Sequence, residues 1–140
     1  MASIFSRILG GELPGHFIWK DKLCFALMTV EPIRSGHVIL MPNAEINHWD
    51  DVPAATAAHM MVVSQHIAKA IKQNVSCKRV GQMIVGLEVP HTHIHLVPID
   101  TIADMDCNRA RPAPDEALAE MALKLRSTLV KDGHKPAQFF

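Results

Sequence analysis

In the stretch Val89-Pro90-His91-Thr92-His93-Ile94-His95-Leu96-Val97-Pro98, three histidines alternate with Thr92, Ile94 and Leu96. A period of two is the period of a β-strand, whose successive side chains point to opposite faces. The alternation predicts that His91, His93 and His95 share one face, about 6.6 Å apart along the backbone, and that the apolar set shares the other. A strand with one ionisable face and one apolar face has to lie between a cleft and a core. That requirement points to a sheet covered on its apolar side by other elements.

The rest of the chain supplies those elements. Ser3 to Leu9 has apolar residues at Ile4, Phe5, Ile8 and Leu9, the spacing of a short helix, with Ser3 as N-cap and Gly10-Gly11 as its stop. His16–Lys20 and Leu23–Val30, separated by Asp21-Lys22, read as a hairpin. Gly36–Met41 reads as a third strand closed by Pro42-Asn43, and Gly81–Leu87 and His93–Ile99 as two more. Pro53–Asn74 holds no internal Gly or Pro, and Met60, Val63, Ile67, Ala70 and Ile71 form one helical stripe. His59 and His66 on that helix are two turns, about 10.5 Å, apart, which fits half-exposed surface histidines better than a shared metal. Thr101–Pro114 is a polar loop. A last helix over 114–132 opens with Pro114, Asp115 and Glu116, ends before Gly133 and carries the stripe Leu118, Met121, Ala122, Leu125, Leu129. Hairpin-length connections between strands predict an α+β fold: an antiparallel sheet of about five strands, a long central helix and a C-terminal helix. There are no internal repeats, and 140 residues fit a single domain, 1–140.

Composition removes several function classes. The longest aliphatic runs, such as Val38-Ile39-Leu40-Met41, have strand length and fall far short of the roughly 18 apolar residues of a membrane helix. Arg7 interrupts the N-terminal apolar stretch, which argues against a signal peptide. Fourteen basic residues balance fourteen acidic ones with no basic cluster, so no nucleic-acid groove is indicated. Cys24, Cys77 and Cys107 are odd in number and contain no Cys-x-x-Cys, against both a disulfide framework and a zinc knuckle. The expected location is the reducing cytoplasm.

A row of imidazoles suits three chemistries. Two or three histidines can ligate zinc, although no cysteine stands nearby to complete the set. One imidazole can attack phosphorus while a neighbour fixes its tautomer and another ring stabilises the phosphoryl charge. Packing explains one buried histidine more readily than three in alternation, because each unpaired buried ring costs free energy.

The run His91-Thr92-His93-Ile94-His95-Leu96-Val97 resembles the His-φ-His-φ-His-φ-φ signature of the histidine triad (HIT) family of nucleotide hydrolases and transferases, with Thr92 as the one imperfect φ. Two further segments agree in order. Ser3 to Pro14 is similar to the family's N-terminal helix and following turn, and Pro32-Ile33-Arg34-Ser35-Gly36-His37-Val38 through Pro42 to its Pro-x-x-x-Gly-His strand. The motif-bearing region is 3–98. The resemblance implies that His93 attacks the α-phosphorus of a nucleotide to give a nucleotidyl-histidine that water hydrolyses. His91 would hold its tautomer, His95 would face the phosphate oxygens, and His37 would support them from the neighbouring strand. Ile4, Phe5, Ile8 and Val30 match positions of the apolar base pocket, although ordinary core packing explains them as well.

The chain departs from the family pattern at several points. Thr29 stands where many members carry an aspartate for the ribose hydroxyls, and a hydroxyl cannot grip two hydroxyls as a carboxylate does. Gly86-Leu87-Glu88-Val89 replaces Gly-Gln-Ser/Thr-Val, so Glu88 either repels phosphate, protonates the leaving group or points to water. Some members bind structural zinc through Cys-x-x-Cys, a histidine and the first triad histidine. Here Ser3 and Ser6 replace the thiolates, which argues against a metal and takes any such role from His48. The reading is a metal- and cofactor-independent hydrolase for a purine phosphoramidate, mononucleotide ester or dinucleotide, with Thr29, Val30, Ile4, Phe5, Ile8, Glu88 and Val89 around the substrate. The resemblance also implies a homodimer whose sheets join. The alternatives are a nucleotide- or phosphate-binding protein with little turnover and, third, a metal-dependent hydrolase.

Overall fold

The computed structural model describes residues 1–136. Helix α1 (Ile4–Leu9) precedes strands β1 (Phe17–Lys20), β2 (Cys24–Met28) and β3 (Val38–Pro42). Helix α2 (Ala54–Asn74) leads to β4 (Arg79–Ile84) and β5 (Ile94–Ile99), and α3 (Asp115–Lys131) closes the order. The five strands form one sheet in the order β1-β2-β3-β5-β4, every neighbouring pair antiparallel. β5, which carries the third histidine of the run, is therefore inserted between β3 and β4. The α+β expectation and its five strands hold. No helix among the described residues is long and apolar enough to cross a membrane.

The period-two alternation divides the sheet's side chains into two layers. Ala26, Met28, Val38, Leu40, Ile94 and Leu96 face α2 and α3, and pack there against Met60, Val63, Ile67, Ala70 and Ile71 of α2 and Leu118, Ala122, Leu125 and Leu129 of α3. Both helical stripes read from the sequence are thus buried, with Met121 at the margin. On the other face Phe25, Leu27, Ile39 and Met41 pack under Phe5 of α1. α1 is short, but Ser3 caps it by accepting from the Ser6 amide.

The turn before β3 is built to present His37. Gly36 has φ +98°, and a Cβ there would lie 2.9 Å from Val75 Cγ2, so only glycine fits. Arg34 braces the same turn through Asp100 (3.1 Å) and Asp104 (3.2 Å). Backbone amides of Asp100 and Thr101 hold the Asp104 carboxyl below its usual range, and Arg34 reinforces this.

Several sequence expectations need correction. The triad strand begins at Ile94, one residue later than expected, and His91 and His93 precede it. The reason is local: the Thr92 amide and hydroxyl both donate to Ile46 O, and the His91 amide donates to Val89 O, so neither amide enters the ladder. The loop 101–114 contains two capped 3-10 turns, Ile102–Met105 and Cys107–Arg109. His59 and His66 are half-exposed, as expected, and each has a partner that the spacing did not reveal. His59 Nε2 lies 2.6 Å from Asp21 Oδ2, and His66 stacks on His134 with centroids 3.9 Å apart. Of the terminal segment Pro136–Phe140, Pro136 lends its carbonyl to the Lys20 amide at the edge of β1, and 137–140 lie outside the described residues.

Leu96 is 2 % exposed at the centre of this core, whereas Val130 on α3 is 61 % exposed. Leu96→Ala is expected to destabilise the fold by about 2–5 kcal/mol, and Val130→Ala by less than about 0.5 kcal/mol, in urea unfolding. Equal costs for the two would contradict this layering.

Candidate active site

Each histidine of the run has a hydrogen-bond partner, and the partners dictate which ring nitrogen carries the proton. His93 Nδ1 lies 2.8 Å from the carbonyl oxygen of His91. A carbonyl only accepts, so Nδ1 is the protonated nitrogen and Nε2 bears the lone pair. A second chain runs through His37 and His95. The Ile33 amide donates to His37 Nδ1 at 3.0 Å, so His37 Nε2 is its N–H and donates to His95 Nδ1 at 2.9 Å. That leaves His95 with its proton on Nε2. The two ends of the site are complementary: an unprotonated nitrogen on His93 and an N–H donor on His95, on rings whose centroids are 4.9 Å apart.

Burial sets the charge of this pair. His37 is pushed down to about 3 by burial, with His95 and His93 as lesser causes. Burial, then His93, brings His95 to about 4. Both rings are neutral near pH 7, so in the free protein His95 offers a neutral donor.

His91 serves a different purpose from its neighbours. Its ring is fully buried beneath α1, with Nε2 donating to Pro42 O at 2.8 Å and Nδ1 accepting from Ser3 Oγ at 2.7 Å. Phe5 packs edge-on against both His91 and His93, at 5.7 and 5.0 Å. Burial holds His91 below the usual histidine range, while the Pro42 carbonyl and Glu45 partly oppose that shift.

Glu45 is the residue that sequence reasoning missed. It accepts from Ser6 Oγ at 2.8 Å and from the Ser3 amide, and these bonds hold its carboxyl below the usual range. Ser3, Ser6, Glu45 and His91 therefore satisfy one another. One imidazole, two neutral hydroxyls and an exposed carboxylate are a poor donor set for zinc, which prefers thiolate and imidazole. Glu45, and not His48, meets the two serines; His48 is exposed at the entry to the turn Trp49–Asp51. No sequence signal marked Glu45, because it lies 42 residues from Ser3.

The remaining candidates are spread around this centre. Thr29 is half-buried, and its amide reaches His37 O at 3.4 Å. Ile8 and Val89 pack against the Phe5 layer. Ile4 and Val30 are exposed, so Phe5 and Ile8 are the two members of the proposed apolar set within the packed layer. Glu88 is exposed on the loop that leads into His91.

Comparison with known proteins shows the family of the chain. A family model described as HIT domain matches residues 10–102. The chain is 28% identical over 98 residues to "Adenosine 5'-monophosphoramidase HNT1" of Saccharomyces cerevisiae, covering 69% of this chain and 62% of the relative. It is 25% identical over 127 residues to "Adenylylsulfatase HINT3" of Arabidopsis thaliana, covering 87% and 61%. In both cases less than two thirds of the relative's length is spanned. A Zn-bound histidine triad family protein from Mycobacterium smegmatis superposes with a TM-score of 0.80 at 26% identity, over 94% of this chain and 95% of that one. Matched by the family model over most of its length, and with the fold of a solved member, the chain belongs to the HIT domain family.

Proposed function

We propose that the protein is a nucleotide hydrolase or nucleotidyltransferase in which His93 Nε2 attacks the α-phosphorus of a purine nucleotide substrate. The observation that carries this reading is the hydrogen bond from His93 Nδ1 to His91 O, which leaves Nε2 as the free nucleophile. The names of the yeast and Arabidopsis relatives, a monophosphoramidase and an adenylylsulfatase, support chemistry at a nucleoside phosphate. In the first step a bond forms between Nε2 and phosphorus, and the bond to the leaving group breaks, that group departing with its electron pair and taking up a proton. Positive charge builds on the imidazole as it bonds phosphorus, and the His91 carbonyl opposite Nδ1–H stabilises it. His95 Nε2–H donates to a phosphate oxygen, and its bond to His37 keeps that proton in place. Water then cleaves the nitrogen–phosphorus bond and restores the free ring. A phosphoramidate, a mononucleotide ester and a dinucleotide all meet these demands, and no step needs a metal.

Thr29 beside His37 is assigned to the sugar. Phe5 and Ile8, with Ile4, Val30 and Val89 at the rim, are assigned to the base, and Glu88 to the leaving group. His93→Asn is expected to abolish turnover of an adenylyl phosphoramidate, by about 10³-fold or more, with nucleotide affinity retained. The wild-type protein, quenched during turnover, should carry one nucleotidyl adduct on His93 by mass spectrometry. A protein that binds the nucleotide yet shows neither turnover nor adduct has the binding role instead.

The His91 carbonyl holds this geometry only while its loop stays fixed, and Ser3 is the tie from α1. Ser3→Ala removes both the N-cap and the bond to His91 Nδ1, and is expected to cost about 1 kcal/mol of stability. Its kcat is expected to fall about tenfold or more, because small misplacements of a nucleophile are costly. Loss of stability with kcat unchanged would separate the tie from the chemistry.

The assembly reading is a homodimer through β4. One edge of the sheet, β1, is partly covered by Pro136, while β4 forms the other edge beside exposed Ile84, Val85, Met61 and Val62. An apolar edge that none of the described residues covers invites strand pairing. Light scattering is expected to give twice the chain mass for the wild type and a monomer for Val62→Glu; a monomeric wild type would contradict the proposal.

A further inference from the structure

A second group of ionisable side chains lies on the opposite face of the sheet from His93, at the β1–β2 hairpin. Asp21 is buried there, and its Oδ1 accepts the amides of Leu23 (2.8 Å) and Cys24 (2.9 Å). Its Oδ2 accepts Trp19 Nε1–H at 2.7 Å. A carboxylate offers about four lone-pair positions, so three of them are already committed to fixed donors. At the fourth, two further groups converge on the same Oδ2: His59 Nε2 from α2 at 2.6 Å and the Cys24 thiol at 3.8 Å. The three ligand atoms lie within 4.8 Å of one another.

We infer that Asp21, Cys24 and His59 form a site for one thiophilic divalent cation of the zinc class, with water as the fourth ligand. Tetrahedral zinc with bonds of about 2.0–2.3 Å sets its donor atoms about 3.3–3.7 Å apart. The Cys24–Asp21 separation of 3.8 Å already fits. The His59 ring has to swing outward by about 1 Å to reach such a separation, and it is half-exposed at the mouth of the site, where both the swing and a water ligand have room. Trp19 and the two backbone amides become the outer donors that orient the ligating carboxylate.

Charge and proton bookkeeping also favour a divalent ion. Binding releases the thiol proton to solvent and moves the His59 proton to Nδ1, and the resulting Asp⁻, Cys⁻ and M²⁺ sum to zero in a buried place. The ion would pin α2 to the hairpin. Neither this role nor these residues belong to the phosphoryl site.

The test is a cobalt(II) titration under oxygen-free conditions of the full chain carrying Cys77→Ser and Cys107→Ser, which leaves Cys24 as its single thiol. One equivalent is expected to produce a thiolate-to-cobalt absorption band that zinc displaces. His59→Gln, a half-exposed position that keeps the fold, is expected to weaken the affinity at least tenfold. Cys24→Ser should remove the band. No band at millimolar cobalt, or a band that survives His59→Gln at full affinity, would overturn the site.

Discussion

The site turns on one hydrogen bond, from His93 Nδ1 to the carbonyl oxygen of His91. An imidazole has two chemically similar nitrogens, and an unbiased ring presents the wrong one part of the time. A carbonyl two residues away in sequence removes that ambiguity, because it accepts and never donates. In the proposed reaction the same oxygen would face the ring as positive charge develops on it, so one contact would support both orientation and electrostatics. The neighbouring chain, Ile33 amide to His37 to His95, runs with the opposite polarity and ends in an N–H. Two short relays of fixed direction thus produce a lone pair and a proton on rings that touch.

Fixing the His91 carbonyl requires that its whole residue be immobile, and four residues from two stretches of the chain see to that. The ring is clamped between Pro42 O on β3 and Ser3 Oγ at the start of α1. Thr92 is tied to Ile46 O by its amide and its hydroxyl. Phe5 covers the rings from the side. These constraints explain why the segment leaves the ladder before Ile94. A residue paired in the sheet would spend its amide and carbonyl on a neighbouring strand, and the His91 carbonyl is needed by His93. Glu45 extends the clamp outward to Ser3 and Ser6, so hydrogen bonds join α1, the loop that carries His91 and the segment after β3.

Much of the fold was readable because its signals are periodic. The stripes of α2 and α3 are buried as the 3.6-residue spacing implies, and Ser3 caps α1 as its residue type and place suggest. The alternation of the histidine run correctly separated Ile94 and Leu96 from His95. It started the strand one residue early, at His93, because the His91 and Thr92 amides bond to Val89 O and Ile46 O outside the ladder, and a period cannot reveal such bonds. Long-range pairings were equally hidden. Glu45 meets Ser3 across 42 residues, and His59 meets Asp21 across 38, so local spacing carried no trace of either contact. His48 drew attention by residue type, yet Glu45 faces the serines.

The most direct measurement is a long-range ¹⁵N–¹H correlation spectrum of the imidazoles at pH 7. A proton on Nδ1 and a bare Nε2 for His93, with the reverse arrangement for His95 and His37, is the pattern that the two relays require. A His93 ring protonated on Nε2 with Nδ1 bare would contradict the account, because the lone pair would then point at a carbonyl and no nucleophile would remain.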